Sequence, residues 1–255
     1  MSVLLTARNL RKEYGSFVAL ADFSLDVRSG AVHGLLGPNG SGKTTCLYLL
    51  TGLVPPTGGT VAVAGIPITD KASRTKYGFA PDDLPMPSGL TGGEYLAWLD
   101  RLRRRQDQAR ALQLVEAFGL QDSLWRPIGE YSHGMRRKLQ VIGAIMHSPE
   151  VLFLDEPFRG LDPAAAVGLS TCIDVFKENG GAVVVATHDL LRAERDCDTV
   201  TILDKGQVIG TGEPTGLRVS ATGAATLEAV FLARTGVTDT GLAQMSNSIS
   251  RALRG

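Results

Sequence analysis

The chain has 255 residues, with 26 lysines and arginines against 26 aspartates and glutamates, so its formal net charge is zero. That length can bury a full core, as one large domain or a domain carrying an inserted lobe. The even balance argues against a dedicated nucleic-acid binder, for which a basic excess is expected.

The amino terminus, MSVLLTARNLRKEY, meets charge too soon for a signal peptide. VLLTARNL and ADFSLDV alternate apolar and polar residues as half-buried strands do, and VHGLL (32–36) is a short apolar run that leads into glycine. GPNGSGKTT follows. CLYLLTGL then has the apolar density of a helix, stopped by Pro55-Pro56. Residues 44–69 carry no charge, but prolines, glycines and threonines interrupt them. No run of about 18 clean apolar residues occurs anywhere, so a soluble chain is expected.

TVAVAG and YGFAP read as further short strands. From about Leu84 to His147 the texture turns helical, in TGGEYLAWLDRLRRR and DQARALQLVEAFGL. The second of these places Leu112, Val115 and Phe118 on one face and ends at Gly119. Five arginines within residues 101–110 read by default as a solvated face, with attraction to anionic lipid headgroups as the alternative. VLFLDEP, GAVVVATHD and TVTILDKGQVIGTG restore the strand texture, with a helix after Pro163 between the first two. Strands alternating with helices, the strands almost continuously apolar, imply an α/β fold around a buried parallel sheet. The helical stretch, about 84–147, is an insertion into a domain spanning 1–235. Residues 236–255, rich in Gly, Thr and Ser, read as a loosely ordered tail. Cys46, Cys172 and Cys197 stand alone without metal-ligand spacing, as reduced buried thiols do.

Residues 37–44 satisfy G-x4-G-K-[ST] between a predicted strand and a predicted helix, the setting this motif requires. A polyphosphate needs a ring of inward backbone N–H groups, which glycines permit, and the following helix adds its positive end. Lys43 supplies a point charge for the β- and γ-phosphates, and the Thr44 hydroxyl can ligate Mg²⁺. In VLFLDEP, Asp155 emerges where α/β sheets bind ligands, suited to hold Mg²⁺ directly or through water. Glu156, one step on, can act as general base toward an attacking water. His188, at the end of VVVATHD, is either a structural histidine or one that reaches the γ-phosphate edge.

These motifs, in their order along residues 3–235, resemble the nucleotide-binding subunit of ABC transporters. The resemblance implies a RecA-like P-loop NTPase core with a parallel sheet, an N-terminal antiparallel β subdomain and an inserted α-helical subdomain. It also implies an adenine platform at Tyr14 with Val18 nearby. The phosphate loop is then Gly37, Pro38, Asn39, Gly40, Ser41, Gly42, Lys43, Thr44 and Thr45. Asp155 and Glu156 are the acid pair, GLDP (160–163) the dimer-facing loop, and His188 the switch histidine. YSHGM (131–135) fills the signature slot usually written LSGGQ, where Ser132 and Gly134 would meet the γ-phosphate held by a second subunit. Arg136, Arg137 and Lys138 read as solvated helix cations in preference to phosphate contacts.

Three positions depart from the family pattern: the first signature glycine is His133, the terminal signature glutamine is Met135, and the glutamine expected after YGFAP is Asp82. Aspartate can still ligate Mg²⁺ or its water, but it adds negative charge near the γ-phosphate. The implied function is an ATP-binding, ATP-hydrolysing subunit that powers a transporter, by resemblance an exporter. Its implied partners are a separately encoded transmembrane permease and a second copy of itself or a related chain, with no nucleic acid. It would sit in the cytoplasm, attached to the membrane through the permease. Three rivals follow from the same residues. A soluble ATPase acting on ribosomes or DNA typically carries two cassettes or a coiled-coil insertion, a GTPase switch needs an NKxD motif, and a nonhydrolytic regulatory subunit would not need the acid pair.

Overall fold

A computed structural model describes residues 2–82, 85–103, 108–220 and 226–235. The expected tail (236–255) and two of the five clustered arginines, Arg104 and Arg105, lie outside the described residues.

Alternation at the amino terminus produces a hairpin of two long strands, β1 (Val3–Tyr14) and β2 (Phe17–Arg28), antiparallel and joined at Gly15 and Ser16. Leu5, Ala7 and Leu10 of β1 face inward with Leu20, Phe23, Leu25 and Val27 of β2. After β3 (Val32–Leu36) and helix α1 (Lys43–Leu50), β4 (Gly58–Val63) pairs with the free side of β1, and the two-residue β5 (Ile66–Pro67) pairs with β4. The result is a four-stranded antiparallel sheet in the order β2-β1-β4-β5.

The second sheet is built from apolar runs. Every residue of β3, of β7 (Val151–Asp155) and of β8 (Ala182–Thr187) is buried, as strands covered on both faces must be. With β6 (Tyr77–Ala80), β9 (Thr199–Asp204) and β10 (Gln207–Gly212), they form a six-stranded sheet in the order β10-β9-β3-β8-β7-β6. All its pairings are parallel except the edge pair β9–β10. The expected α/β architecture is therefore present, with its separate antiparallel unit. Helices α5 (Pro163–Glu178), α6 (Leu190–Asp196), α7 (Pro214–Ser220) and α8 (Leu227–Thr235) complete the core.

Between the directly paired strands β6 and β7 the chain makes α2 (Gly92–Arg103), α3 (Gln108–Ala117) and α4 (His133–Ile145). Helix α4 crosses β6 so closely that a Cβ at Gly78 would stand 1.9 Å from the Ala144 carbonyl oxygen. Only glycine fits there. Val115 in α3 and Phe118 just after it are buried as expected, but Leu112 is 56% exposed and Ala111 takes its place inside. The buried face of α3 is thus rotated by about one position from the one the leucine suggested. All three cysteines are free thiols, with Cys46 fully buried. Among the described residues no helix is long and apolar enough to cross a membrane.

One buried polar residue interrupts β3. His33 is 1% exposed, with Nδ1 2.8 Å from the Thr199 hydroxyl and Nε2 3.1 Å from that of Thr201. Burial pushes its pKa down to about 3. Below the unfolded value near 6.5 the unfolded chain takes up a proton that the native ring refuses, so stability is complete above pH 6.5 and declines toward pH 3. From pH 7 to 5 that loss should be about 2 kcal/mol. Urea unfolding of the wild type and of His33→Gln at both pH values checks it. The wild type should lose that much more than the variant, and equal losses would rule the ring out as the cause.

Candidate functional site: a phosphate loop, an acid pair and a bound arginine pair

The parallel strands end on one side, and the loops that leave β3, β6, β7 and β8 there surround a cavity of about 740 Å³. That size suits a ligand of nucleotide dimensions. From β3 the chain enters the glycine loop. Gly37 has a φ of +149°, and a Cβ there would meet the Leu203 carbonyl oxygen at 2.2 Å. Gly40 and Gly42 also hold positive φ, at +80° and +106°. Asn39, Gly40, Gly42, Lys43, Thr44 and Thr45 line the cavity. Gly37 and Pro38 stand behind it and accept hydrogen bonds from the Lys43 ammonium at 2.7 and 3.2 Å. Burial lowers the Lys43 pKa, while Glu156 and Asp155 act in the opposite direction. Ser41 is buried under the loop, where its carbonyl accepts the Gly206 N–H from the β9–β10 turn at 2.9 Å. Gly206 in turn accepts a hydrogen bond from the Ala21 N–H of β2 at 2.8 Å.

Strand β7 delivers the acids. Asp155 is 3% exposed and accepts a hydrogen bond from the Thr44 hydroxyl at 3.3 Å, so α1 and β7 meet at two of the three groups proposed from sequence to hold a cation. Burial, reinforced by the Asp82 and Glu156 carboxylates, pushes Asp155 up to about 6, against the pull of Thr44 and Lys43. Glu156 turns out of the strand with a φ of +45°, its N–H donating to Ala186 of β8 at 2.8 Å. Its carboxylate is held by three donors: the His188 N–H at 3.0 Å, His188 Nδ1 at 2.7 Å and the Thr187 hydroxyl at 3.0 Å. His188 therefore reaches the site, joined directly to the proposed base.

The structure corrects the expectation for Arg137 and shows which groups hold Asp82. Asp82, expected as a metal ligand, is engaged by two guanidinium groups, Arg137 of α4 and Arg159 of the loop after β7, the latter at 2.7 Å. Arg137, expected to be solvated, is 1% exposed and also donates to the Pro81 carbonyl at 2.6 Å. A guanidinium that deep needs a carboxylate, and Asp82 supplies it. Of its two neighbours, Arg136 is exposed, as expected, while Lys138 is half-buried.

Helix α4 begins at Ser132, whose hydroxyl accepts from the Met135 N–H at 3.2 Å, so the residue caps the helix mouth in the ordinary way. Neither Ser132 nor Gly134 lines the cavity around Lys43. His133 lies against Gly160, where a Cβ would come within 2.6 Å of its ring nitrogen. At the other end of the cavity the wall is formed by Phe17 and Ala19. Tyr14 and Val18 are not part of that wall, and the Lys12 ammonium stands over the Tyr14 ring, 4.9 Å from its centroid. Sequence reasoning missed Phe17, Ala19 and Arg159. The first two were within reach, because Phe17 opens the strand that follows the aromatic turn, and Arg159 was visible as a cation three residues past the acid pair.

A family model described as ABC transporter matches residues 20–159. The daunorubicin resistance ATP-binding protein DrrA2 of Streptomyces coeruleorubidus is 37% identical over 217 residues, covering 83% of this chain and 67% of that protein. Nod factor export ATP-binding protein I of Burkholderia orbicola (strain AU 1054) is 35% identical over 226 residues, covering 87% of this chain and 74% of that protein. A solved ATP-binding subunit of an ABC transporter superposes with a TM-score of 0.85 at 28% identity, over 91% of this chain and 99% of that one. A dimeric ATP-binding cassette in a post-hydrolysis state with ADP and phosphate shares the fold, with a TM-score of 0.75 at 23% identity over 82% and 98% of the two chains. At this identity and coverage the chain belongs to the ABC transporter family, as one of its ATP-binding and ATP-hydrolysing subunits.

Proposed function

We propose that this subunit powers export through a separately encoded permease, with ATP bound between two copies of the chain or between this chain and a related one. The observation that carries the reading is the convergence of the Lys43 loop, Asp155, Glu156 and His188 on one cavity while the Ser132–Gly134 mouth stands outside it. A helix mouth with exposed donors is an anion site in search of an anion. A head-to-tail pair brings each mouth to the neighbour's γ-phosphate. Relatives named for resistance and export support the outward direction of transport.

The geometry supports a role for each residue. Lys43 leaves the Gly37 and Pro38 carbonyls for the β- and γ-phosphates, and the loop N–H groups take the rest of the charge. Thr44 and Asp155 present a hydroxyl and a carboxylate to the same point, a hard oxygen donor set that fits Mg²⁺ completed by water and phosphate. When bound, the ion would offset charge on the phosphates. Glu156 spends three of its roughly four lone-pair sites on Thr187 and His188, which leaves one on Oε2 for the attacking water. His188 and Thr187 hold that carboxylate in place. Phe17 and Ala19 give the adenine an apolar wall, to which Tyr14 and Val18 add if the hairpin closes over the base. The lobe α2–α4 and the Asp82 loop press on the permease, through which the subunit is held at the cytoplasmic face of the membrane.

Lys43→Ala removes the one ammonium that the loop encloses. Calorimetric titration should find no ATP binding by this variant at concentrations that saturate the wild type, and tight binding would contradict the assignment. Isolation of the chain from membranes should bring with it a multispan polypeptide. Recovery of the chain alone would count against the transport role.

A further inference from the structure

Arg159 has no part in the roles assigned above, yet it lines the cavity three residues beyond Glu156. Its main chain is fixed. The Arg159 N–H donates to the Glu156 carbonyl at 3.1 Å, and the adjoining Phe158 ring lies under the Arg192 guanidinium, 4.0 Å from the ring centroid. Its side chain reaches the solvent-exposed rim of the cavity. It is 57% exposed and meets Asp82 at 2.7 Å, in contact with solvent.

Asp82 is shared unequally between its two arginines. Arg137 is 1% exposed and cannot give up the carboxylate without stranding a buried charge. Arg159 gives it up at lower cost, because its own side chain is largely in solvent and Asp82 stays neutralised by Arg137 when it goes. Three carboxylates, Asp82, Asp155 and Glu156, face the cavity, against Lys43 and Arg159 as its lysine and arginine. Glu156 and His188 mark the end where water attacks, so Arg159 stands on the γ-phosphate side, and Lys43 at the loop. A guanidinium presents a fork of donors that fits a terminal phosphate.

We infer that Arg159 is a nucleotide-binding residue that distinguishes ATP from ADP, exchanging Asp82 for the γ-phosphate when the triphosphate enters. The inference rests on the cavity being the ATP site. A diphosphate ends at the loop and leaves Arg159 on Asp82.

The test is a direct titration of the full chain with ATP and with ADP, both with Mg²⁺, in a Glu156→Gln parent that conserves the ATP. Adding Arg159→Ala should weaken ATP binding by at least about tenfold and change ADP binding by less than about twofold. Arg159→Lys should recover part of the loss, since a point charge lacks the fork. Equal weakening of both nucleotides, or no change in either, would overturn the inference. A parent that binds no ATP would remove the ATP site and the inference together. Loss of one partly exposed ion pair should lower the melting temperature by no more than about 4 °C, and a loss confined to ATP is then a binding effect.

Discussion

Glu156→Gln is expected to reduce steady-state ATP hydrolysis by about 10²- to 10⁴-fold, the usual contribution of a positioned general base, equivalent to roughly 3–5 kcal/mol of barrier. The substitution keeps the size of the side chain and the left-handed backbone at this position, where φ is +45°. It removes the charge that lets the carboxylate take a proton from water. ATP binding should persist, because Lys43 and the loop N–H groups are untouched. With hydrolysis blocked, any closed form that needs the γ-phosphate must accumulate. Phosphate release and size-exclusion chromatography in ATP check the two halves, and wild-type turnover by the variant would end the assignment of Glu156 as base.

Asp82→Ala should destabilise the fold by about 3–5 kcal/mol, because it leaves Arg137 buried without its counter-charge. The exposed ion pair to Arg159 contributes at most about 1 kcal/mol of that. Restoring balance is the sharper test. Asp82→Ala combined with Arg137→Met removes both charges and should recover most of the loss, since apolar replacement of a buried pair is often neutral. Urea denaturation of wild type, both single variants and the double variant gives the cycle. An Asp82→Ala protein within 1 kcal/mol of wild type would show that solvent or another group compensates Arg137. Asp82→Gln, the residue usual in the family, should fall between, because an amide oxygen can accept from Arg137 without neutralising it.

The phosphate loop and the acid pair were legible because their chemistry is local. The glycine spacing fixes the path of the loop, and a short apolar run ending in Asp155 can only be a buried strand with its acid at the ligand end. Arg137 and Asp82 were not legible, because the two lie 55 positions apart and neither explains the other until the chain between them is folded. A signal did exist: Arg137 precedes Gln140, Val141 and Ala144 by three, four and seven positions, and all of these are buried. Helical periodicity thus places its side chain on the inner face of α4. Reading it as one of three consecutive cations obscured that. Leu112 misled for a similar reason, since the neighbours of α3, and not the size of one side chain, decide which face turns inward. Tyr14 was placed by its motif, but which aromatic borders the cavity depends on the hairpin geometry, and that brings Phe17 and Ala19 to the wall.

Gly206 carries a mechanical consequence. With its N–H donating to Ser41 and its carbonyl accepting from Ala21, a single residue rivets the cradle proposed for the phosphates to the strand that bears the wall proposed for the base. The gap between those two contacts is set before any ligand arrives, so seating base and inner phosphates requires little rearrangement of the protein. Adaptation is left to the opposite rim. On the proposed reading the molecule works as a gauge of set length with one adjustable jaw, and what the jaw measures is the third phosphate.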